Sequence, residues 1–233
     1  MRIALFGYGK MGKMIEQVAL NRNHEIVAKI DMDITEIDFS TMDVAIDFSL
    51  PEAAFQNITK CLENNVPVIS GTTGWLSKYD DAVSSCHKNK GAFIYASNFS
   101  LGVNIFFELN NYLAKMMQKL PEYQVSLEEI HHTQKLDAPS GTAITLAEGV
   151  IKNSDYIKWE MDQNGDGVLP ITAKRIGTTP GTHTVTYDSM VDSIEIKHTA
   201  HNREGFALGA VTAAEWIIGK TGVFSMRDVL NLG

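Results

Sequence analysis

The first twelve residues constrain the chain more than any other stretch. Arg2 to Phe6 is a short apolar run, followed at once by Gly7-Tyr8-Gly9-Lys10-Met11-Gly12. Met11, Ile15, Val18 and Ala19 then recur at helical spacing. A G-x-G-x-x-G pattern set between a strand and a helix has a mechanical reading. The first glycine permits the tight turn, the second lets backbone approach a pyrophosphate, and the third allows helix to pack on strand. A second strand, Glu25 to Ile30, ends at Asp31, 24 residues after Gly7, near the spacing of an acid that binds the adenosine ribose hydroxyls. The order of strand, glycines, helix, strand and acid is that of a dinucleotide-binding βαβ unit. Positions 32 and 33 are Met32 and Asp33, with no arginine to receive a 2′-phosphate. This tilts the expected cofactor from NADPH towards NADH, with Lys10 and Lys13 nearby.

The same architecture continues. Strands are expected at Asp43 to Phe48, Pro67 to Ser70 and Ala92 to Tyr95, and helices from Pro51 and over Leu76 to Asn89. Small polar loops, Gly71-Thr72-Thr73-Gly74 and Ala96-Ser97-Asn98-Phe99-Ser100, end the last two strands. In open α/β sheets the ligand crevice lies at such strand ends. Leu101 to Leu120 reads as a long helix with Phe106, Leu109, Leu113, Met116, Met117 and Leu120 on one face.

The densest polar run follows. Tyr123, Val125 and Leu127 alternate with Gln124, Ser126 and Glu128 as a strand, and Ala143, Leu146, Ala147, Val150 and Ile151 mark a helix. The connection between them carries His131, His132, Lys135, Asp137, Ser140, Gly141 and Thr142. Ser140 as N-cap leaves the first N–H groups of that helix facing outward at the positive end of its dipole, a ready carboxylate or phosphate site. Lys135 adds a charge or a proton, and two adjacent histidines titrate near neutrality. On a strand they face opposite ways and should differ in role.

Asn153 to Gly167 reads as a surface loop whose Asp162, Asn164, Gly165 and Asp166 lack the spacing and terminal glutamate of a calcium loop. From Leu169 to His198 the period becomes two, giving antiparallel strands with Arg175, His183 and His198 among the polar residues near their ends. Ala207, Ala210, Val211, Ala214, Ile217 and Ile218 form a last amphipathic helix. The expected fold is therefore α/β, a Rossmann-like parallel-sheet domain (1–100 and 204–233). It carries an inserted α+β domain (101–203) with a mixed, largely antiparallel sheet, and ligands are expected between the halves.

Composition narrows the function classes. With 233 residues, 44% hydrophobic and 21% charged, the chain is an ordinary globular one. A net charge of −8 argues against nucleic acid or an anionic membrane as partner. No apolar run approaches the ~20 residues of a membrane span. The start shows no signal-peptide pattern, so a cytoplasmic location is expected. Two cysteines, Cys61 and Cys86, both fall in helical patterns and support neither a disulfide nor a metal site.

Over most of its length the chain resembles the 4-hydroxy-tetrahydrodipicolinate reductase (dihydrodipicolinate reductase) family. The resemblance rests on the glycine loop, Asp47-Phe48-Ser49, Gly71-Thr72-Thr73-Gly74 and Ser97-Asn98-Phe99-Ser100. It rests above all on His131-His132 and Lys135-Leu136-Asp137-Ala138-Pro139-Ser140-Gly141-Thr142-Ala143, with Arg203, the Phe206 to Ala210 run and the Met226 to Leu230 tail. It implies reduction of a cyclic unsaturated dicarboxylate by NADH or NADPH in a homotetramer assembled through the insert's sheet. His131 then resembles the proton donor and Lys135 a second catalytic group. His132, Lys135, Ser140, Gly141 and Thr142 resemble the dicarboxylate site. The residues from Gly7 to Gly12 with Asp31, Phe48, the Gly71–Thr73 loop and the Ala96–Phe99 loop resemble the cofactor site. The chain departs from the family in a short connection between Asp31 and Asp43, and in Lys10 where an arginine often stands. Another two-domain dehydrogenase, of amino acids or semialdehydes, would share the glycine loop without needing the His-His to Gly-Thr stretch. A nucleotide-sensing protein without turnover would keep the glycines and Asp31 and lose the proton-transfer groups.

Overall fold

The computed structural model describes residues 1–31 and 37–232. Met32 and Asp33, on which the cofactor-preference reading rests, lie outside them. The chain forms two compact units, Met1–Leu101 with Glu204–Gly233, and Gly102–Arg203.

The first unit opens with β1 (Arg2–Phe6), α1 (Lys10–Asn21), β2 (Glu25–Ile30), β3 (Val44–Asp47), α2 (Pro51–Glu63), β4 (Val68–Ser70), α3 (Tyr79–Lys88) and β5 (Ala92–Tyr95). The expected helix over Leu76 to Asn89 begins as a 3-10 turn, Leu76–Lys78, before α3. The second unit holds α4 (Leu101–Met117), β6 (Gln124–His131), α5 (Gly141–Ile151), β7 (Lys158–Met161), β8 (Val168–Arg175), β9 (Gly181–Asp188) and β10 (Ser193–Ala200). The chain then returns to the first unit through α6 (Glu204–Ile217), β11 (Gly222–Phe224) and α7 (Met226–Val229). Periodicity gives no sign of β11 or α7, which are too short to show a pattern.

In the first unit six parallel strands run in the order β11-β5-β4-β3-β1-β2. Helices cover both faces, so the central strands are buried along almost their whole length rather than alternating. Ile3 and Leu5 pack with α1 and α6, through Ile15, Val18, Ala210 and Ala214. Ala4 and Phe6 face the other way, towards Ala54, Ile58 and Leu62 of α2. Cys61 and Cys86 are buried free thiols in this second layer. No helix among the described residues is long and apolar enough to cross a membrane.

The second unit has a five-stranded mixed sheet in the order β10-β9-β6-β8-β7. Antiparallel pairing joins β10, β9 and β6, while β6, β8 and β7 pair in parallel. Parallel pairs thus make up more of the sheet than the alternation suggests, because α5 crosses over between β6 and the β7–β8 pair. The Asn153 to Gly167 segment is not wholly a loop. It contributes β7, an edge strand whose Lys-Trp-Glu-Met sequence shows no clean alternation. Helices α4 and α5 cover one sheet face through Phe106, Leu113, Met117, Leu146 and Val150, against Val125, Leu127, Ile171, Val185 and Tyr187. The buried row of α4 is Val103, Phe106, Asn110, Leu113, Ala114 and Met117. Leu109, Met116 and Leu120, expected on that face, are exposed. The helix is turned by Asn110, which points inward and donates to the Leu146 carbonyl at 2.9 Å.

Candidate active site

In the first unit the loops after β1, β3, β4 and β5 meet at the C-terminal edge of the sheet. Gly7 has φ of +85°, which the left-handed turn requires, and a side chain there would strike the Phe48 carbonyl at 2.2 Å. A Cβ on Gly12 would fall 2.3 Å from the Gly7 carbonyl, the close packing expected of the third glycine. Gly9 has no atom within 4 Å of that position. It is the N-cap of α1 and provides no side-chain cap, so the first turn of the helix presents its N–H groups to a ligand. These residues fit a pyrophosphate. Tyr8, Lys10 and Met11 are at least partly exposed around it, and Asp31 is exposed at the end of β2.

Phe48 joins the other loops. Its ring lies where a Gly71 Cβ would fall, 2.3 Å away, and sits 5.9 Å from the Phe99 ring. Thr73 and Ser97 are exposed, and Ala96 is half-buried. The Asn98 side chain accepts from Ser100 N–H at 2.9 Å.

Asp47, whose role the sequence does not reveal, anchors this edge from below. It is fully buried. Its two oxygens accept from Ser49 Oγ (2.6 Å), Asn57 Nδ2 (3.1 Å), Ser70 Oγ (2.9 Å) and Thr72 Oγ1 (2.8 Å). Thr72 Oγ1 in turn accepts from Ser49 N–H at 2.9 Å. All four donors are neutral, and burial outweighs them, so the carboxyl is raised above its ordinary range.

In the second unit β6 delivers His131 and the following loop delivers the rest. His131 is buried and His132 partly exposed, the split in environment that the strand geometry demands. Ser140 caps α5, accepting from Ala143 N–H at 3.2 Å. Gly141, with open space around it, begins the helix, and Thr142 follows partly exposed. Lys135 pairs with the exposed Asp137 at 2.7 Å. The sequence-predicted proton donor and dicarboxylate-site residues therefore fall at the end of one strand, in the loop after it and at the start of one helix.

Beneath them lies a hub that the sequence leaves unassigned. Glu129 is fully buried. Its Oε2 accepts from Ser140 N–H at 3.0 Å and lies 3.7 Å from both His131 Nδ1 and His183 Nε2. Its Oε1 accepts from Arg175 at 3.1 Å. Arg175 also donates to the Asp137 carbonyl at 2.7 Å and the Lys135 carbonyl at 3.3 Å, so it clamps the lysine-bearing loop to the carboxylate. Burial pushes Glu129 upward. The interactions from His131, His183 and Ser140 more than offset it, and the carboxyl is held well below its ordinary range. Glu129, His131 and His183 place three possible metal-ligand atoms within 4.8 Å of one another. The Arg175 guanidinium and the Ser140 N–H already occupy that carboxylate, which marks the cluster as a hydrogen-bonding network rather than a cation site. Strand parity is the signal for this hub. Glu129 keeps phase with Val125 and Leu127, Arg175 with Ile171, and His183 with Val185 and Tyr187, so all three point inward.

A parallel α/β sheet with an uncapped glycine loop, joined to a unit that gathers titratable groups at a helix N-terminus, defines an NAD(P)-dependent reductase. Residues 32–99 match the family described as dihydrodipicolinate reductase, N-terminus, and residues 102–230 match dihydrodipicolinate reductase, C-terminus. The chain belongs to this family, whose members are oxidoreductases of lysine and diaminopimelate biosynthesis. A 4-hydroxy-tetrahydrodipicolinate reductase from Christiangramia forsetii is 58% identical, over 99% of this chain and 98% of its own. One from Archaeoglobus fulgidus is 34% identical over 99% of this chain and 100% of its own. A dihydrodipicolinate reductase from Paenisporosarcina sp. TG-14, solved with dipicolinate bound, shares the fold with a TM-score of 0.80. It is 23% identical, covering 98% of each chain.

Proposed function

We propose that the protein reduces 4-hydroxy-tetrahydrodipicolinate to tetrahydrodipicolinate with loss of water, using NADH or NADPH. What supports this reading is that His131, His132, Lys135 and the Ser140–Gly141–Thr142 helix start follow one another at the end of β6, in the loop after it and at the start of α5, a loop that Arg175 and Glu129 hold in place. The nicotinamide, when bound, supplies the hydride. The glycine loop and the α1 N-terminus hold its pyrophosphate, Asp31 its ribose, and Phe48, Gly71–Thr73 and Ala96–Phe99 its nicotinamide end. Ser140, Gly141 and Thr142 grip one substrate carboxylate with the help of the α5 dipole. Lys135 adds positive charge and His132 a hydrogen bond. His131 or Lys135 delivers the proton that the reaction consumes with each hydride.

NADH is the favoured cofactor. The sequence offers no arginine at Met32 or Asp33. Lys29, two residues before Asp31, is held by Glu16 at 2.6 Å and by Tyr8 at 3.1 Å, so its charge is already matched. Assembly as a homotetramer through the outward face of the second unit's sheet belongs to the same reading. So does a cytoplasmic location.

The test is steady-state oxidation of NADH and NADPH with freshly generated substrate, with pyridine-2,6-dicarboxylate as inhibitor. Replacing His131 or Lys135 by alanine should lower kcat by on the order of 10²–10⁴ with the fold intact. A protein that consumes neither cofactor would refute the assignment, and near wild-type turnover in either variant would remove that residue from proton transfer.

A further inference from the structure

The Ser140 hydroxyl has three neighbours besides any ligand, one of them the Glu129 carboxylate, which it helps to hold below its ordinary range. It accepts from Ala143 N–H at 3.2 Å and lies 3.1 Å from His183 Nε2. Ser140 is 4% exposed and His183 5% exposed, so water competes little for either. The other ring nitrogen of His183, Nδ1, is buried with no hydrogen-bond partner among the described residues. Burial, with the Glu129 contact opposing it, holds the imidazole below its ordinary range, so the ring is neutral near pH 7 and carries a single N–H.

Two tautomers are available, and they are not equivalent. A proton on Nδ1 would bury an unpaired donor and turn the Nε2 lone pair towards the Glu129 carboxylate, 3.7 Å away. A proton on Nε2 points at two acceptors, Ser140 Oγ and Glu129 Oε2. The carboxylate therefore selects the Nε2–H form. Ser140 Oγ then accepts two hydrogens, from Ala143 and His183, which fill both of its lone pairs. Its own O–H then donates to Glu129.

We propose that His183 is a positioning residue for the substrate: held as its Nε2–H tautomer by Glu129, it fixes the Ser140 hydroxyl between Glu129 and the first turn of α5, and so sets that helix start for a substrate carboxylate. This rests on the dicarboxylate reading above. His183 acts through Ser140 and touches no reacting atom, so its contribution falls on binding.

The experiment measures the Kd of pyridine-2,6-dicarboxylate together with KM and kcat in wild type, His183→Leu, His183→Gln, Ser140→Ala and the His183→Leu/Ser140→Ala double variant. His183→Leu should raise Kd and KM about tenfold, the scale of one hydrogen bond to a charged group, and leave kcat little changed. A glutamine amide can place an N–H where Nε2–H was, so His183→Gln should recover most of the loss. The double variant should be no worse than the weaker-binding single one, because the two residues act in series. If His183→Leu does not fold, His183→Asn, whose amide falls short of Ser140, makes the same comparison with His183→Gln. A fall in kcat at constant KM, no rescue by glutamine, or additive losses would each overturn the proposal. Wild type that fails to bind the dicarboxylate overturns the substrate reading as well; wild type that binds it, with affinity unchanged in His183→Leu, overturns this inference alone.

Discussion

Asp47 and Glu129 are both fully buried carboxylates, one in each unit, and they are treated in opposite ways. Asp47 receives only neutral donors, from Ser49, Asn57, Ser70 and Thr72. Glu129 receives a guanidinium, a backbone N–H and the approach of two imidazoles. The first is raised, the second lowered. Burial alone penalises either charge, and what separates them is what opposes it: hydroxyls and an amide at Asp47, two imidazoles and both donors of Ser140 at Glu129, which also carries the Arg175 ion pair. Asp47 serves a task that needs only geometry. It ties the ends of β3 and β4 to the loops carrying Ser49 and Thr72. Glu129 lies beneath the residues proposed to transfer the proton and to bind the anion. Its charge secures Arg175, orients the two imidazoles and fixes the N–H of the residue that caps α5.

The sharpest way to break this contrast is to truncate the charged hub. Glu129→Ala strands Arg175, which is held between the site and the loop, and leaves Ser140 N–H without an acceptor. Removing one partner of a buried ion pair costs about 3–5 kcal/mol. Denaturant unfolding should show a loss of that size, and turnover should fall with it because His131, Lys135 and Ser140 all lose their support. Glu129→Gln keeps the shape and can still accept from Ser140, so its stability loss should be smaller while the activity loss persists. A variant with wild-type stability and turnover would show that the hub is incidental.

Truncating the neutral cluster should cost less. Asp47→Ala leaves hydroxyl and amide donors that can partly re-pair among themselves, so a loss of about 1–3 kcal/mol is expected. The functional effect should also differ in kind. Slackening the Ser49–Thr72 strut disturbs the loops proposed to hold the nicotinamide, so KM for NADH should rise while the Kd of the dicarboxylate stays unchanged. A changed dicarboxylate Kd in Asp47→Ala would mean that the two clusters do not act separately.

The same two residues show how far the sequence can be read. The glycine loop, the parallel strands and the His131-to-Thr142 run are legible because each is local: turn chemistry, apolar runs and a cap declare themselves within a few residues. Glu129, Arg175 and His183 are far apart in sequence and meet only through register, Glu129 opposite His183 and His131 opposite Arg175. Their inward parity can be read, but their meeting depends on which strands pair, and periodicity does not encode pairing. Asp47 is hidden differently. It ends a strand buried on both faces, where no alternation distinguishes an inward acid from an outward one. The buried face of α4 departs from its apolar stripe because Asn110, a polar residue, occupies an inward position through its bond to Leu146.

The smallest effect, and the most diagnostic, lies in the pH dependence of stability. Glu129 is lowered in the folded state, so its contribution is fully present above the ordinary glutamate value of ~4.3 and is lost as pH falls towards the folded value. Asp47 is raised, so its contribution is fully present below the ordinary aspartate value of ~3.9 and is lost as pH rises through the folded value. The two slopes have opposite sign. In Glu129→Gln the acid limb of the stability curve should become shallower below about pH 4. In Asp47→Asn the penalty that wild type accumulates above about pH 4 should disappear, leaving stability that climbs more steeply towards neutrality. Urea unfolding of wild type and both variants from about pH 3 to about pH 8 would resolve the two signs. Changes in slope of the same sign, relative to wild type, in both variants would refute the claim that the partners of each carboxylate, rather than burial, set the two apart.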